Sequence, residues 1–100
     1  MSALADLLDE AAARLDGIVR RAAGDQVEYV RGSAAFAVAS GRTVEFRLDR
    51  AIAAAAAGTP DVKVSPRGSD WVAFTPSEVD RFASDRAVAW FESAWRRAGG

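Results

Sequence analysis

The segment Gln26–Leu48, with the sequence QVEYVRGSAAFAVASGRTVEFRL, decides the fold of this chain. A period of two runs through its apolar residues, which is typical of β-strands with one buried face. Gly32-Ser33 and Ser40-Gly41 interrupt this pattern and leave turns that are too short for a crossover connection. The segment therefore predicts an antiparallel meander, whose strands are Gln26–Arg31, Ser33–Ser40 and Arg42–Leu48.

The same alternation predicts which side chains share a face of the sheet. We expect one face to pack against helices, and its residues are Val27, Tyr29, Phe36, Val38, Val44, Phe46 and Leu48. The other face, which we call the open face, is expected to hold Glu28, Val30, Ala35, Ala37, Ala39, Glu45 and Arg47. This mixture is polar enough to contact water and apolar enough for a partner to cover it.

A second stretch, Ser65–Phe74 or SPRGSDWVAF, predicts a hairpin. Pro66 and Gly68 suit the second and fourth positions of a type I turn. The strands that this turn joins are predicted at Val62–Ser65 and Asp70–Thr75. Alternation along the second of these strands places Trp71 on the open face.

A helix is predicted before the meander. Apolar residues recur at three- and four-residue spacing from Ser2 to Ala22, as in a helix with one buried stripe, and Gly24 ends it. Only Asp16-Gly17 is discordant with a helix. We therefore expect one long N-terminal helix with a bend at that dipeptide.

Two more helices are predicted downstream. Arg50–Ala57 follows the capping residue Asp49, and the last helix begins at about Asp80. Trp90 and Trp95 lie on the apolar arc of the last helix, so we expect them to pack in the core. The order helix, three strands, helix, two strands, helix predicts a single two-layer α+β domain over the 100 residues, with a five-stranded antiparallel sheet covered by helices on one face.

Composition excludes several classes of function. The 100 residues include no cysteine and no histidine, which rules out disulfides, thiol nucleophiles, zinc ribbons and a histidine general base. A net charge of -1 argues against bulk electrostatic binding of nucleic acid or of an anionic membrane. The longest apolar run, Ala51–Ala57, is too short to span a membrane, and the N-terminus lacks the pattern of a signal peptide. We expect a cytoplasmic protein that binds no membrane.

Several pieces of the chain resemble the MmcQ/YjbR-like group of small domains and, more distantly, a luciferase-associated small domain. The pieces are GSAAFAV at Gly32–Val38, Arg47-Leu48-Asp49, Thr59-Pro60-Asp61, GSDWVAF at Gly68–Phe74, and a final helix with Trp95. The resemblance runs from about Tyr29 to Ala98. It implies a two-layer fold like that of secretion chaperones, with sheet order 1-2-3-5-4, but no settled activity. A DNA-binding role suggested for the group brings no residues to carry over.

The chain departs from this group in two places. Arg47 stands where many relatives have lysine, and Ala94-Trp95 replaces a small residue followed by tyrosine. Neither change creates a recognisable catalytic group. The resemblance therefore sharpens the expected fold and leaves the function open.

Glu28 and Glu45 are candidates for a carboxylate pair on the open face. Such a pair can serve acid–base chemistry or bind a metal ion. Cross-strand ion pairs with Arg31 and Arg47 are the expected alternative, because exposed sheet faces commonly pair opposite charges. The serines have no histidine to activate them, which argues against a hydrolase.

Basic residues offer two candidate anion sites. Lys63, Arg47 and Arg67 with Gly68 could cradle an anion near the hairpin, although Asp70 would repel it there. The basic residues of the last helix are Arg81, Arg86, Arg96 and Arg97. Acidic residues interleave with them, so we expect a solvated helix face rather than a nucleic-acid site.

Trp71 is a large aromatic residue on the face predicted to lack helices. Together with Ala35, Ala37 and Ala39 it would form an apolar patch, and such patches mark interfaces. The alternative is that Trp71 packs under a chain terminus or under arginine side chains.

These features favour a non-enzymatic binding or assembly module that forms a homodimer through the open face or an edge strand, or binds a protein partner. The residues predicted to carry this contact are Trp71, Arg47, Arg67 and Glu45. No catalytic residue, cofactor or metal ion is predicted. A weak nucleic-acid-binding protein is the first alternative, and a small-ligand pocket between the sheet and the last helix near Trp90 is the second.

Overall fold

A computed structural model of the protein describes residues 3–99, which form three helices and one six-stranded sheet. The helices are α1 (Ala3–Ala12), α2 (Arg50–Ala57) and α3 (Arg81–Gly99). The strands are β1 (Ile18–Ala23), β2 (Gln26–Arg31), β3 (Ala34–Ser40), β4 (Thr43–Arg47), β5 (Val62–Val64) and β6 (Trp71–Phe74). All neighbouring strands are antiparallel, in the order β1-β2-β3-β4-β6-β5. The α+β class and the antiparallel sheet are confirmed.

The prediction of five strands is wrong because the predicted N-terminal helix ends early. Helix α1 stops at Ala12, and β1 begins at Ile18 and pairs with β2 along its whole length. Gly17 has a φ of 73°, a left-handed conformation that a right-handed helix excludes. Ile18 and Val19 are β-branched and favour a strand. Ser2, the predicted start of the helix, lies outside the described residues.

Strand β3 contains a bulge that the alternating pattern did not predict. Tyr29 pairs with Ala37, whereas Val30 pairs with Ala35, so Phe36 is an extra residue on β3. Phe36 and Ala37 consequently both belong to the core cluster on the helix side of the sheet.

The bulge changes the faces predicted for three residues. Ala37 pairs with Phe46 and Ala39 pairs with Val44, and all four pack in the core on the helix side. Val38, which was expected there, lies between them on the open face. Ala37 and Ala39 are therefore wrongly predicted as open-face residues, and Val38 is wrongly predicted as a helix-side residue.

The core lies between the sheet and the helices. Its members are Leu4, Leu8, Ala11, Tyr29, Phe36, Ala37, Ala39, Val44, Phe46, Leu48, Ala53, Ala56, Val62, Val72, Phe74, Ala83, Ala87, Phe91 and Ala94. At its centre the Phe91 ring of α3 stands 5.2 Å from the rings of both Tyr29 and Phe36. Every helix and five of the six strands contribute to this cluster.

The two later helices begin where the sequence predicts. The backbone N–H of Ala83 donates a hydrogen bond to the Asp80 carboxylate at 2.9 Å, so Asp80 caps α3. Helix α2 has the predicted bounds, but Asp49 makes no side-chain capping bond there. Its carboxylate instead forms an ion pair with Arg97 at 3.4 Å.

Candidate functional site

The predicted hairpin turn positions the candidate site at one end of β5 and β6. The N–H of Gly68 donates to the carbonyl of Ser65 at 3.3 Å, as the predicted turn requires. The N–H of Ser65 donates to the carbonyl of Trp71 at 3.0 Å and closes the hairpin. This turn holds Arg67 above the sheet beside Trp71.

Trp71 lies on the open face and is half-buried. It pairs across the strands with Arg47 of β4, and cross-strand partners share a face. The guanidinium of Arg67 lies over the Trp71 ring at 5.5 Å from its centroid. Trp71 is thus partly covered by an arginine, as the alternative prediction for this residue proposed.

Glu45 ties the hairpin turn to the central strands. Its carboxylate accepts a hydrogen bond from the Ser65 hydroxyl and another, at 3.0 Å, from Nε of Arg67. The same hydroxyl accepts from the backbone N–H of Arg67 at 3.1 Å. Ser65 is buried, so its hydroxyl is a structural bridge and is not presented to solvent as a nucleophile.

Asp70 sits at the junction between this site and α3. Its carboxylate accepts a hydrogen bond from Nε of Arg47 at 2.9 Å and from Arg97 at 3.2 Å. The hydrogen bond from Arg47 is the main cause that lowers the pKa of Asp70 below its usual value. Asp70 therefore stays ionised and holds Arg47 beside Trp71.

The structure brings the four predicted contact residues together. We call Glu45, Arg47, Arg67 and Trp71 the open-face cluster. The roles of Ser65, Asp70 and Arg97 in supporting it were not predicted from the sequence. The sequence did contain a signal for the role of Asp70. This residue directly precedes Trp71, and its negative charge is opposite to that of the arginines predicted nearby.

The surroundings of Trp71 differ from the predicted alanine patch. Ala37 and Ala39 face the helices, so only Ala35 of the three lies on the open face, where it pairs with Val30. The small apolar residues of this face are instead Val30, Ala35, Val38 and Ala73. Val30, Val38 and Ala73 are themselves buried, so the apolar middle of the open face exposes little surface, and the region around Trp71 is charged.

Glu28 and Glu45, the predicted carboxylate pair, form ion pairs with arginines instead of facing each other. Glu28 and Glu45 flank Val38 from two different strands, and Glu28 pairs with Arg21 at 3.1 Å rather than with Arg31. Arg31 turns to the helix side, where it lies 4.0 Å from the centroid of the Trp95 ring. The predicted carboxylate pair is thus separated, and each member has an arginine partner.

The anion cradle near the hairpin is already neutralised by the protein. Arg67 is paired with Glu45, and Arg47 is paired with Asp70. Lys63 lies on the open face of β5 opposite Ala73. These pairs leave an incoming anion little uncompensated positive charge at the turn.

Two of the four arginines on α3 form hydrogen bonds or ion pairs with other residues of the chain. Arg86 donates to the Thr59 hydroxyl and the Pro60 carbonyl, both at 2.8 Å, and covers the Trp90 ring. Arg97 pairs with acidic residues beside the hairpin turn. The helix therefore offers fewer free charges to nucleic acid than its sequence implies.

Trp90 and Trp95 are partly buried and pack against the core cluster, so the prediction that they pack in the core is confirmed in part. The Trp90 ring lies 5.3 Å from that of Phe74 and 6.2 Å from that of Phe46, which fills the space between α3 and the sheet. The indole N–H of Trp95 donates to the carbonyl of Asp16 at 2.8 Å. The region around Trp90 is therefore occupied by side chains rather than shaped as a ligand pocket.

Within residues 3–99, no group of three or more acidic side chains is arranged to hold a metal ion. None of the helices in this range is long and apolar enough to cross a membrane.

Comparison with known proteins finds no match to a protein-family model, to a curated protein or to a solved structure.

Proposed function

We propose that this protein is a non-enzymatic binding or assembly module that forms a homodimer through the open face. The observation that carries the proposal is the open-face cluster, in which a half-buried tryptophan lies between two arginines on the side of the sheet away from the core. Tryptophan and arginine are the residue types that most often dominate interface energetics. The absence of histidine and cysteine from the sequence further favours binding over catalysis.

Charge on the open face favours a second copy as the partner. Its basic residues are Arg21, Arg47, Lys63 and Arg67, and its acidic residues are Glu28 and Glu45, while Asp70 neutralises Arg47 from the junction with α3. Because the two signs nearly balance, two copies of this face meet without strong repulsion. Nucleic acid would gain little from it, since phosphate binding depends on an excess of positive charge.

The sheet edges are less suited to self-association than the face. Edge strand β1 carries Arg20 and Arg21, and edge strand β5 has three residues with Lys63 in the middle. Short edges and basic residues are the usual protection against edge-to-edge pairing. We therefore assign the contact to the open face.

The size of the face sets the expected strength of the dimer. Six strands about 4.8 Å apart give a width of about 24 Å, and strands of three to seven residues run for about 10 to 23 Å. A flat contact of that footprint buries on the order of 500 Å² per partner, which is below the typical 800 Å² or so of a stable complex. We expect a dimer whose population changes with protein concentration.

A YjbR-like fold is part of this proposal. Strands β2-β3-β4-β6-β5 follow the order that the sequence resemblance implies, and β1 adds a strand outside it. The proposed function rests on the open-face cluster and does not depend on this family assignment.

Size-exclusion chromatography with light scattering across protein concentration, at low and moderate salt, tests the proposal. The wild-type protein should shift from monomer to dimer with concentration at both salt levels. Trp71→Ala should remain monomeric while keeping its circular dichroism spectrum. Phe82→Ala is the matched control, because Phe82 is an aromatic residue on α3 that is 80% exposed and away from the open face.

Three results would contradict the proposal. The wild-type protein could stay monomeric at every concentration, or Trp71→Ala could associate as the wild type does. An association that disappears with added salt would point to charge contacts instead of the Trp71 surface.

A further inference from the structure

A cleft of about 740 Å³ opens at the other end of the sheet from the open-face cluster. Its apolar lining includes Leu4 and Pro76, which are buried, and Val79, which is 40% exposed. Small-molecule sites typically enclose about 300–1,000 Å³ and are mostly apolar. The cleft therefore has the size and lining of a ligand site.

Two opposite charges line the same cleft. Asp25 lies at the tip of the β1–β2 hairpin, and Arg42 lies at the tip of the β3–β4 hairpin. Both are exposed, and neither makes an ion pair or side-chain hydrogen bond with another residue in the described part of the chain. This contrasts with Arg47 and Arg67, which are both paired with carboxylates.

We propose that this cleft binds a short apolar peptide, a di- or tripeptide with free ends. Its α-carboxylate pairs with Arg42, its α-ammonium pairs with Asp25, and its side chains contact Leu4, Pro76 and Val79. A ligand with both charges pairs with both residues, whereas a simple fatty acid pairs with Arg42 alone and leaves Asp25 without a partner. Ser77 adds a hydroxyl that can bind the peptide backbone.

The site is separate from the proposed dimer contact. Arg42 directly precedes β4 and Arg47 ends it, so strand geometry puts the two about 15 Å apart. Peptide binding therefore does not depend on the open face, and Trp71→Ala should bind the same peptides as the wild type.

Amide NMR titration with trileucine tests this proposal. Free trileucine should shift the amide signals of Arg42, Ser77 and Val79. N-acetyl-trileucine, which lacks the positive end, and trileucine amide, which lacks the negative end, should each bind about two- to fivefold more weakly. That range corresponds to the loss of one exposed ion pair.

Variants of the two charged residues identify which end binds where. Arg42→Gln should weaken binding of trileucine but leave trileucine amide unchanged. Asp25→Asn should weaken binding of trileucine but leave N-acetyl-trileucine unchanged. Arg96→Gln, which removes an exposed arginine on α3, should bind all three probes as the wild type does.

The proposal is overturned if trileucine produces no shifts up to its solubility limit, or if the shifts fall outside the cleft. It is also overturned if the blocked peptides bind as tightly as the free one, because the charges would then contribute nothing.

Discussion

At the residue scale, Tyr29 links three elements through one buried hydroxyl. Its ring is fully buried, and the hydroxyl donates to the Asp9 carboxylate of α1 at 2.7 Å. Asp9 also accepts a hydrogen bond from Arg20 of β1 at 2.9 Å. Burial, and next the hydrogen bond to Asp9, raise the pKa of Tyr29 well above its usual value.

This raised pKa predicts how the protein responds to alkali. Because the pKa of Tyr29 is higher in the folded than in the unfolded chain, its contribution to the free energy of unfolding is complete below about pH 10 and is lost as the pH rises further. Tyr29 is the sole tyrosine, so phenolate absorbance reports on it alone. During an alkaline titration, the phenolate absorbance of Tyr29 should rise at the same pH at which the circular dichroism signal of the folded protein is lost.

Tyr29→Phe gives the comparison for this prediction. Removing the hydroxyl should lower the free energy of unfolding at neutral pH by about 1 kcal/mol, the typical net value of a hydrogen bond. The difference from the wild type should shrink above about pH 10. Phenolate absorbance that develops while the wild-type protein remains folded would show that the hydroxyl is accessible and the reasoning mistaken.

At the element scale, Gly17 decides between the predicted helix and the observed strand. Alanine should disfavour the left-handed backbone of Gly17 and lower the free energy of unfolding by about 1 kcal/mol. In a continuous helix the same change would raise it by about 0.5–1 kcal/mol. The sign of the change, measured by chemical denaturation, therefore distinguishes the two structures.

Gly58→Ala is the matched control for Gly17→Ala. Gly58 has a φ of -83°, which alanine adopts readily, and an added Cβ would meet the Ala55 carbonyl at an ordinary 3.5 Å. Gly58→Ala should leave the free energy of unfolding unchanged or raise it by up to about 1 kcal/mol, because alanine restricts the unfolded chain. A similar loss in both variants would mean that the left-handed conformation is not the cause.

Sequence periodicity correctly predicted the elements whose turns, caps and alternation agree with the contacts they make in the fold. The strands β2 to β6 and the helices α2 and α3 fall where turns, caps and alternation place them. Periodicity failed from Leu15 to Ala22, because apolar spacing that fits a helix also occurs by chance in a short strand. Pairing with β2 makes this segment a strand. Periodicity failed again at Phe36, because a bulge is a property of two paired strands.

At the scale of the whole molecule, the candidate site depends on both local and distant contacts. Alternation along β4 and β6 was enough to place Arg47 and Trp71 on one face. The ion pair between Arg97 and Asp70 could not be predicted from the sequence, because it requires the end of α3 to pack beside the hairpin turn. The same holds for the cleft, whose lining comes from α1, two hairpin tips and the segment before α3.

One core cluster joins these elements, so we expect the protein to unfold as a unit. Phe91→Ala removes the ring that contacts both Tyr29 and Phe36, and a buried phenylalanine truncated to alanine costs about 3–5 kcal/mol. Since small domains have a total stability of about 5–15 kcal/mol, this loss should bring the protein close to unfolding. Phe82→Ala removes a mostly exposed ring and should change stability by less than about 0.5 kcal/mol.

Denaturant unfolding followed by tryptophan fluorescence and by circular dichroism measures this effect. The three tryptophans lie on α3 and β6, whereas circular dichroism reports on all the helices and the sheet. If the core is one cooperative cluster, both signals should shift to lower denaturant together in Phe91→Ala, with a single midpoint. A shift in fluorescence alone would mean that α3 detaches from a sheet that remains folded without it.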